Sequence, residues 1–109
     1  MEIDRELLKG SISLVLLSLL SRGEMYGYEI MQESSRRSAN AFALKEGTLY
    51  PALHQLEKKG LIQSEWRTGD NGRERKYYLL TKKGKKAAQK YEQQWQYLTG
   101  AVNALLESN

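Results

Sequence analysis

The sequence predicts a mostly α-helical fold carrying one small β-hairpin, and three observations support it. Leu49, Leu53 and Leu56 recur at i, i+4, i+7 spacing, the period of a helix that buries one face. The turn-forming run Thr68-Gly69-Asp70-Asn71-Gly72 separates Leu61–Arg67 from the β-former-rich Lys76–Leu80, which is a hairpin signal. Ala88, Tyr91, Trp95, Leu98, Val102 and Leu105 are separated by 3, 4, 3, 4 and 3 residues, the alternation of a coiled-coil seam.

Taken in order, the first helix is expected from Asp4, an N-cap with acids in the first turn, to Ser21, ending before Gly23. Only Ser13 and Ser18 interrupt its apolar run from Ile12 to Leu20, so this helix should be covered on more than one side, with a partner subunit as the extra cover. A second helix is expected over Tyr26–Arg37, where Arg36 and Arg37 suit the negative end of its dipole. A connector, Ser38–Lys45, leads to a third helix ending at Gly60. Pro51 is comfortable only in a first turn, so this helix either begins close to Thr48 or is distorted there. The hairpin should lean on the helices through Leu61, Trp66, Tyr78 or Leu80, because an isolated hairpin is marginal in water. The last helix starts near Thr81 and runs toward Leu106.

Composition narrows the function. The chain has 109 residues, no cysteine and one histidine. It is long enough for one domain and one core. Disulfides, thiolate nucleophiles and cysteine-ligated zinc are excluded, and no cofactor or metal site is expected. No nucleophile–base pair or phosphate loop stands out, so the chain is not expected to be an enzyme. The apolar run is far shorter than the roughly 20 residues of a membrane span. Glu2, Asp4 and Glu6 stand where a secretory leader would be positive, so the expected location is the cytoplasm.

The formal charge of +4 is unevenly spread. Residues 45–90 carry twelve Lys or Arg against five Asp or Glu, residues 1–44 five against six, and residues 91–109 none against two. The excess coincides with the third helix and the hairpin, which points to a polyanion as partner. A helix presented beside a basic hairpin is the arrangement of a winged helix-turn-helix, which sets one helix in the DNA major groove and the hairpin on the flanking backbone. The expected organisation is a winged helix-turn-helix over residues 1–80 and a dimerisation helix over residues 81–109, with the first helix also contributing to the dimer core.

Candidate sites follow from this geometry. With the leucines inward, Gly47, Pro51, His54 and Lys58 fall on the outer face of the third helix, flanked by Thr48, Tyr50 and Gln55. Of these, Gln55 alone can make a bidentate base contact. The expected DNA-binding set is Tyr26, Thr48, Tyr50, His54, Gln55, Lys58, Arg73, Arg75 and Lys76, the last three on phosphates. Lys82, Lys83, Lys85 and Lys86 extend the positive cluster at a helix N-terminus, where cations oppose the dipole. The seam of Ala88, Tyr91, Trp95, Leu98, Val102 and Leu105 is expected to join two copies. Trp95 is large for a tight two-helix contact and should hold the helices apart, whereas Trp66 is assigned to packing.

The segments Tyr26-Gly27-Tyr28-Glu29-Ile30, Gly47-Thr48-Leu49-Tyr50-Pro51-Ala52-Leu53, Leu56-Glu57-Lys58-Lys59-Gly60-Leu61-Ile62 and Arg75 through Gly84, in this order, closely resemble the PadR family of bacterial transcriptional regulators. The single short C-terminal helix is similar to that of the smaller PadR subfamily. The resemblance implies a dimeric winged-helix repressor on an inverted-repeat operator. It also implies a planar aromatic effector held between a tryptophan from each C-terminal helix, at a site comprising Trp95, Tyr91, Thr99, Leu14 and Ser18. Drug-sensing relatives carry an acid where this sequence has Thr99. The alternative expectation is a winged-helix regulator with no small-molecule ligand, constitutive or controlled by a partner.

Overall fold

The computed structural model describes residues 1–107, so residues 108–109 of the expected C-terminal segment lie outside the described part. The element order is α1 (Arg5–Lys9), α2 (Ile12–Leu20), β1 (Met25–Tyr26), α3 (Gly27–Arg37), α4 (Glu46–Lys58), β2 (Ile62–Thr68), β3 (Glu74–Leu80) and α5 (Lys82–Leu106). This is the mostly helical architecture expected, with two corrections.

The first helix is broken. Asp4 caps α1 as expected, accepting from the Glu6 amide at 2.9 Å, but α1 stops at Lys9 and α2 begins at Ile12. Gly10 is a poor helix former. The Ser11 hydroxyl donates to the Leu8 carbonyl at 2.9 Å, competing with the helical ladder. The second correction concerns the hairpin, which is part of a three-stranded sheet ordered β1-β3-β2. Met25 and Tyr26 pair antiparallel with Tyr78 and Tyr77. A two-residue strand has no periodicity to read, so only the fold reveals it.

The core forms where α2 meets the other elements. Leu16, Leu17, Leu19 and Leu20 of α2 are buried with Ile30 of α3, Leu49, Leu53 and Leu56 of α4, and Leu61, Ile62, Tyr78 and Leu80 of the wing. Most of the cover on α2 therefore comes from its own chain. Helix α4 starts two residues before Thr48 and carries Pro51 inside it. The proline nitrogen cannot donate to the Gly47 carbonyl, and both residues face solvent, where water can satisfy that group.

Trp66 is not part of this packing. The face of β2 that it shares with Ile62 and Ser64 goes from buried through half-buried to open, because two residues advance a strand by about 7 Å. Ile62 sits over the helices, the Ser64 hydroxyl donates to the Glu57 carboxylate of α4 at 2.7 Å, and Trp66 is 65% exposed. Burial of Tyr78 on the facing strand pushes its hydroxyl pKa up.

Helix α5 enters the domain through a close backbone crossing. The Thr81 amide donates to the Leu61 carbonyl at 3.1 Å, and the Thr81 hydroxyl donates to the Gly60 carbonyl at 2.7 Å. The same hydroxyl accepts from the Gly84 amide at 3.0 Å, capping the helix. Lys83 Nζ donates to the Lys59 carbonyl at 2.9 Å, which gives one of the awkwardly placed lysines an intramolecular partner at the negative end of α4. A side chain at Gly84 would overlap the Leu61 carbonyl. Gly84→Ala is therefore expected to destabilise the fold by roughly 1–3 kcal/mol, the usual cost of overpacking. The check is a lower urea midpoint with an unchanged slope.

Candidate nucleic-acid interface and aromatic recesses

Helix α4 presents its polar side as expected. Leu49, Leu53 and Leu56 are buried, so Thr48, Tyr50, His54, Gln55 and Lys58 are all exposed. Tyr50 packs against the first turn of α3, and a Cβ at Gly27 would overlap its ring and hydroxyl. Gly27 thus lets α4 approach α3 closely enough for Tyr50 to sit between them.

The wing sorts its cations into paired and free. Arg67 is held by both oxygens of Glu24 and by Glu65 at 3.0 Å, and its guanidinium lies 4.9 Å from the centre of the Tyr77 ring. Hydrogen bonding to Arg67 holds the Glu24 carboxyl below its usual pKa. This cluster ties β2 to the segment before β1 and is largely neutralised. The other ion pair among the described residues joins Arg36 to Glu33 on α3. Arg73, Arg75 and Lys76 therefore lack an acidic partner there. Arg75 stacks 4.4 Å from the centre of the Tyr26 ring, and Tyr26 meets Tyr77 edge-on at 5.4 Å. Lys76 lies 5.7 Å from the centre of the Tyr78 ring. Rings under two of the three cations restrain them without neutralising them.

Tyr26 is the N-cap of α3 rather than its first helical residue, and its amide donates to Glu29 at 3.2 Å. Its ring belongs to the wing's aromatic ladder. A recess of about 420 Å³ opens between the first turn of α3, Tyr50 and the wing, and Trp66, Arg75 and Lys76 line its wing side. Neither Trp66 nor Tyr28, which also lines it, is among the residues expected at the interface. The signal available in the sequence was the strand alternation that puts Trp66 opposite Lys76.

A second recess, of about 340 Å³, lies between the N-terminal end of α2 and α5, lined by Gly10, Ser13, Leu14, Tyr91, Gln94, Trp95 and Leu98. Trp95, Tyr91 and Leu14 of the expected ligand set come together here. Ser18 and Thr99 lie outside this lining, and the Thr99 hydroxyl donates to the Gln96 carbonyl at 3.1 Å. Gly10, Ser13 and Gln94 were not expected. Gly10 and Ser13 enter the recess at the break between α1 and α2, and Gln94 stands three residues after Tyr91 on α5. On the seam, Ala88 is buried in its own chain's core and Tyr91 packs beside it. Trp95, Leu98, Val102 and Leu105 are exposed.

This is the architecture of a winged-helix transcriptional regulator with an appended helix. Residues 16–90 match the transcriptional regulator PadR-like family, and the chain belongs to that family. It is similar to the transcriptional regulator Rv3488 of Mycobacterium tuberculosis, with 39% identity over 76% of this chain and 74% of that protein. It superposes on a transcriptional regulator from Clostridium thermocellum with a TM-score of 0.86 and 30% identity, covering 96% of this chain and 99% of the other. Bacillus subtilis PadR in complex with operator DNA is similar over 73% of this chain and 45% of that one, with a TM-score of 0.66 and 28% identity. Family membership makes the chain a transcriptional regulator rather than an enzyme. No helix among the described residues is long and apolar enough to cross a membrane.

Proposed function

We propose that this chain is a repressor that binds an inverted-repeat operator as a homodimer and leaves it when a planar aromatic effector binds. The observation that carries the DNA reading is the set of unpaired cations, Arg73, Arg75 and Lys76, held on the wing beside the exposed face of α4. In this reading α4 enters the major groove with Thr48, Tyr50, His54, Gln55 and Lys58, while Tyr26 and the wing cations take phosphates. The relative solved with operator DNA supports this reading by its fold.

Dimerisation is read from α5. At 25 residues and 1.5 Å per residue it is about 37 Å long. The whole chain reaches 61 Å in its longest dimension. Beyond Ala88 the helix has little of its own chain to cover it. Leu98, Val102 and Leu105 stay open on one stripe, which a second copy would bury. The domain division is then functional, with residues 1–80 reading DNA and residues 81–109 joining the copies, although the first turns of α5 share the winged domain's core.

Effector release rests on the recess at Trp95, which is 43% exposed in one chain. Two such indoles across a two-fold axis would stack on both faces of a flat molecule. The exposed Ser18 and the half-buried Thr99 stand one helical turn beyond Leu14 and Trp95 without lining the recess. The alternative is a regulator without a ligand, constitutive or controlled by a partner, in which side chains of the second copy fill the recess.

Replacing Arg73, Arg75 and Lys76 together by alanine is expected to weaken binding to every duplex. Each lost phosphate contact should reduce the slope of log affinity against log salt by about 0.9. A salt titration with an unchanged slope would take the wing off the backbone. Val102→Asp with Leu105→Asp is expected to yield monomers in sedimentation, since buried unpaired carboxylates cost several kcal/mol. A stable dimer would remove the seam. Planar dyes are expected to quench Trp95 fluorescence and release duplex, at about 0.5–1.5 kcal/mol per stacked ring beyond burial. Trp95→Ala should abolish that response, and a dye panel with no effect on wild type would favour the ligand-free alternative.

A further inference from the structure

Trp66 is unexplained by both the fold and the proposed contacts. Its indole is 65% exposed, on a strand whose earlier same-face residue Ile62 is buried. It faces Lys76 across the β2–β3 ladder and lines the recess bounded by Tyr50 of α4 and by Arg75. The indole shares its face of the sheet with Lys76, and the exposed rings of Tyr28 and Tyr50 line the same recess, so the open aromatic surface is a contiguous patch, the kind that marks an interaction site. The recess lies between the helix proposed for the major groove and the wing proposed for the flanking backbone. A sugar-phosphate strand is the polyanion that would pass between those two elements.

We propose that Trp66 is a DNA-contacting residue, with its indole flat against a deoxyribose and its Nε1–H donated to the phosphate that Lys76 also meets. This rests on the reading of the chain as a DNA binder. The chemistry suits the position. Indole offers a single donor and no acceptor, so phosphate is a matching partner, and its flat face covers a sugar without reading sequence. Lys76, directly across the ladder from Trp66, supplies the charge in a recess that Glu74 also lines, Trp66 supplies shape and one directed hydrogen bond, and Tyr50 closes the opposite wall.

An uncharged donor has a signature that the neighbouring cations lack. Trp66→Ala removes no counterion release, so affinity for a mixed-sequence duplex of about three helical turns should fall about tenfold with the salt slope unchanged. Trp66→Phe keeps a flat apolar surface, lacks the donor, and should bind nearly as weakly as the alanine variant. Exposure of the side chain makes both variants suitable for folding controls by circular dichroism. In wild-type protein labelled with fluorotryptophan, the chain's two tryptophans give two resonances, assigned with Trp66→Phe. Duplex at low salt should shift the Trp66 resonance, and added salt should reverse the shift. Unchanged affinity in Trp66→Ala, or a slope reduced by about one, would overturn the proposal, the second because Trp66 would then act only by placing Lys76. Failure of wild type to bind any duplex would instead overturn the DNA reading itself, and this contact with it.

Discussion

The rest of the structure depends on the crossing of α5 over the turn after α4. Gly84 has no side chain, so the Leu61 carbonyl can lie where a Cβ would be, and Thr81 binds both the Gly60 and Leu61 carbonyls. Gly60 adopts a left-handed backbone with φ of 76°, a conformation open to glycine at little cost. Two glycines distant in sequence thus make one joint. It fixes the end of the helix proposed to read DNA against the start of the helix proposed to join the subunits. The angle between those helices would determine the separation of the two α4 copies in a dimer, and half-site spacing is a geometric consequence of that separation.

Electrostatics on the wing follow a different logic from its total charge. Arg67 is consumed by Glu24 and Glu65, and such exposed pairs contribute little stability. Their effect is to position the strand. Arg75 and Lys76 are instead backed by the rings of Tyr26 and Tyr78, which lets a cation be oriented while its charge stays available. The count of basic residues in the sequence could not separate these classes, because Glu24, which binds Arg67 through both carboxylate oxygens, lies 43 residues away.

What could be read from the sequence shares one property, namely that its signal is local. The α4 leucines and the α5 stripe repeat at fixed intervals, the strands flank the turn-forming run that ends at Gly72, and each lies on the element expected of it. What was missed depends on single atoms or distant partners. The break at Gly10 and Ser11 turns on one hydroxyl, β1 turns on two pairings, and the joint at Gly84 turns on the absence of one carbon. Trp66 was misassigned for a related reason. Tryptophan is expected to be buried, and strand alternation gives its face, but only the extent of the helices beneath the sheet tells where that face stops being covered.

The two tryptophans then stand at opposite ends of one mechanical path. Trp95 lines the recess between α2 and α5, and α5 leads back through Ala88 and Gly84 to the joint with α4, whose other flank is the wing bearing Trp66. An effector at Trp95 can alter operator affinity only by binding one separation of the α4 copies more tightly than another. A recess walled by α2 and α5 of one chain would meet that requirement if a second copy faced it, since a flat molecule between the helices would change their distance. In that proposal the hydrogen-bonded joint at Gly60, Leu61, Thr81 and Gly84 would pass the change on to α4 and the wing. A loose connection between α4 and α5 would leave the same ligand bound and the operator occupied.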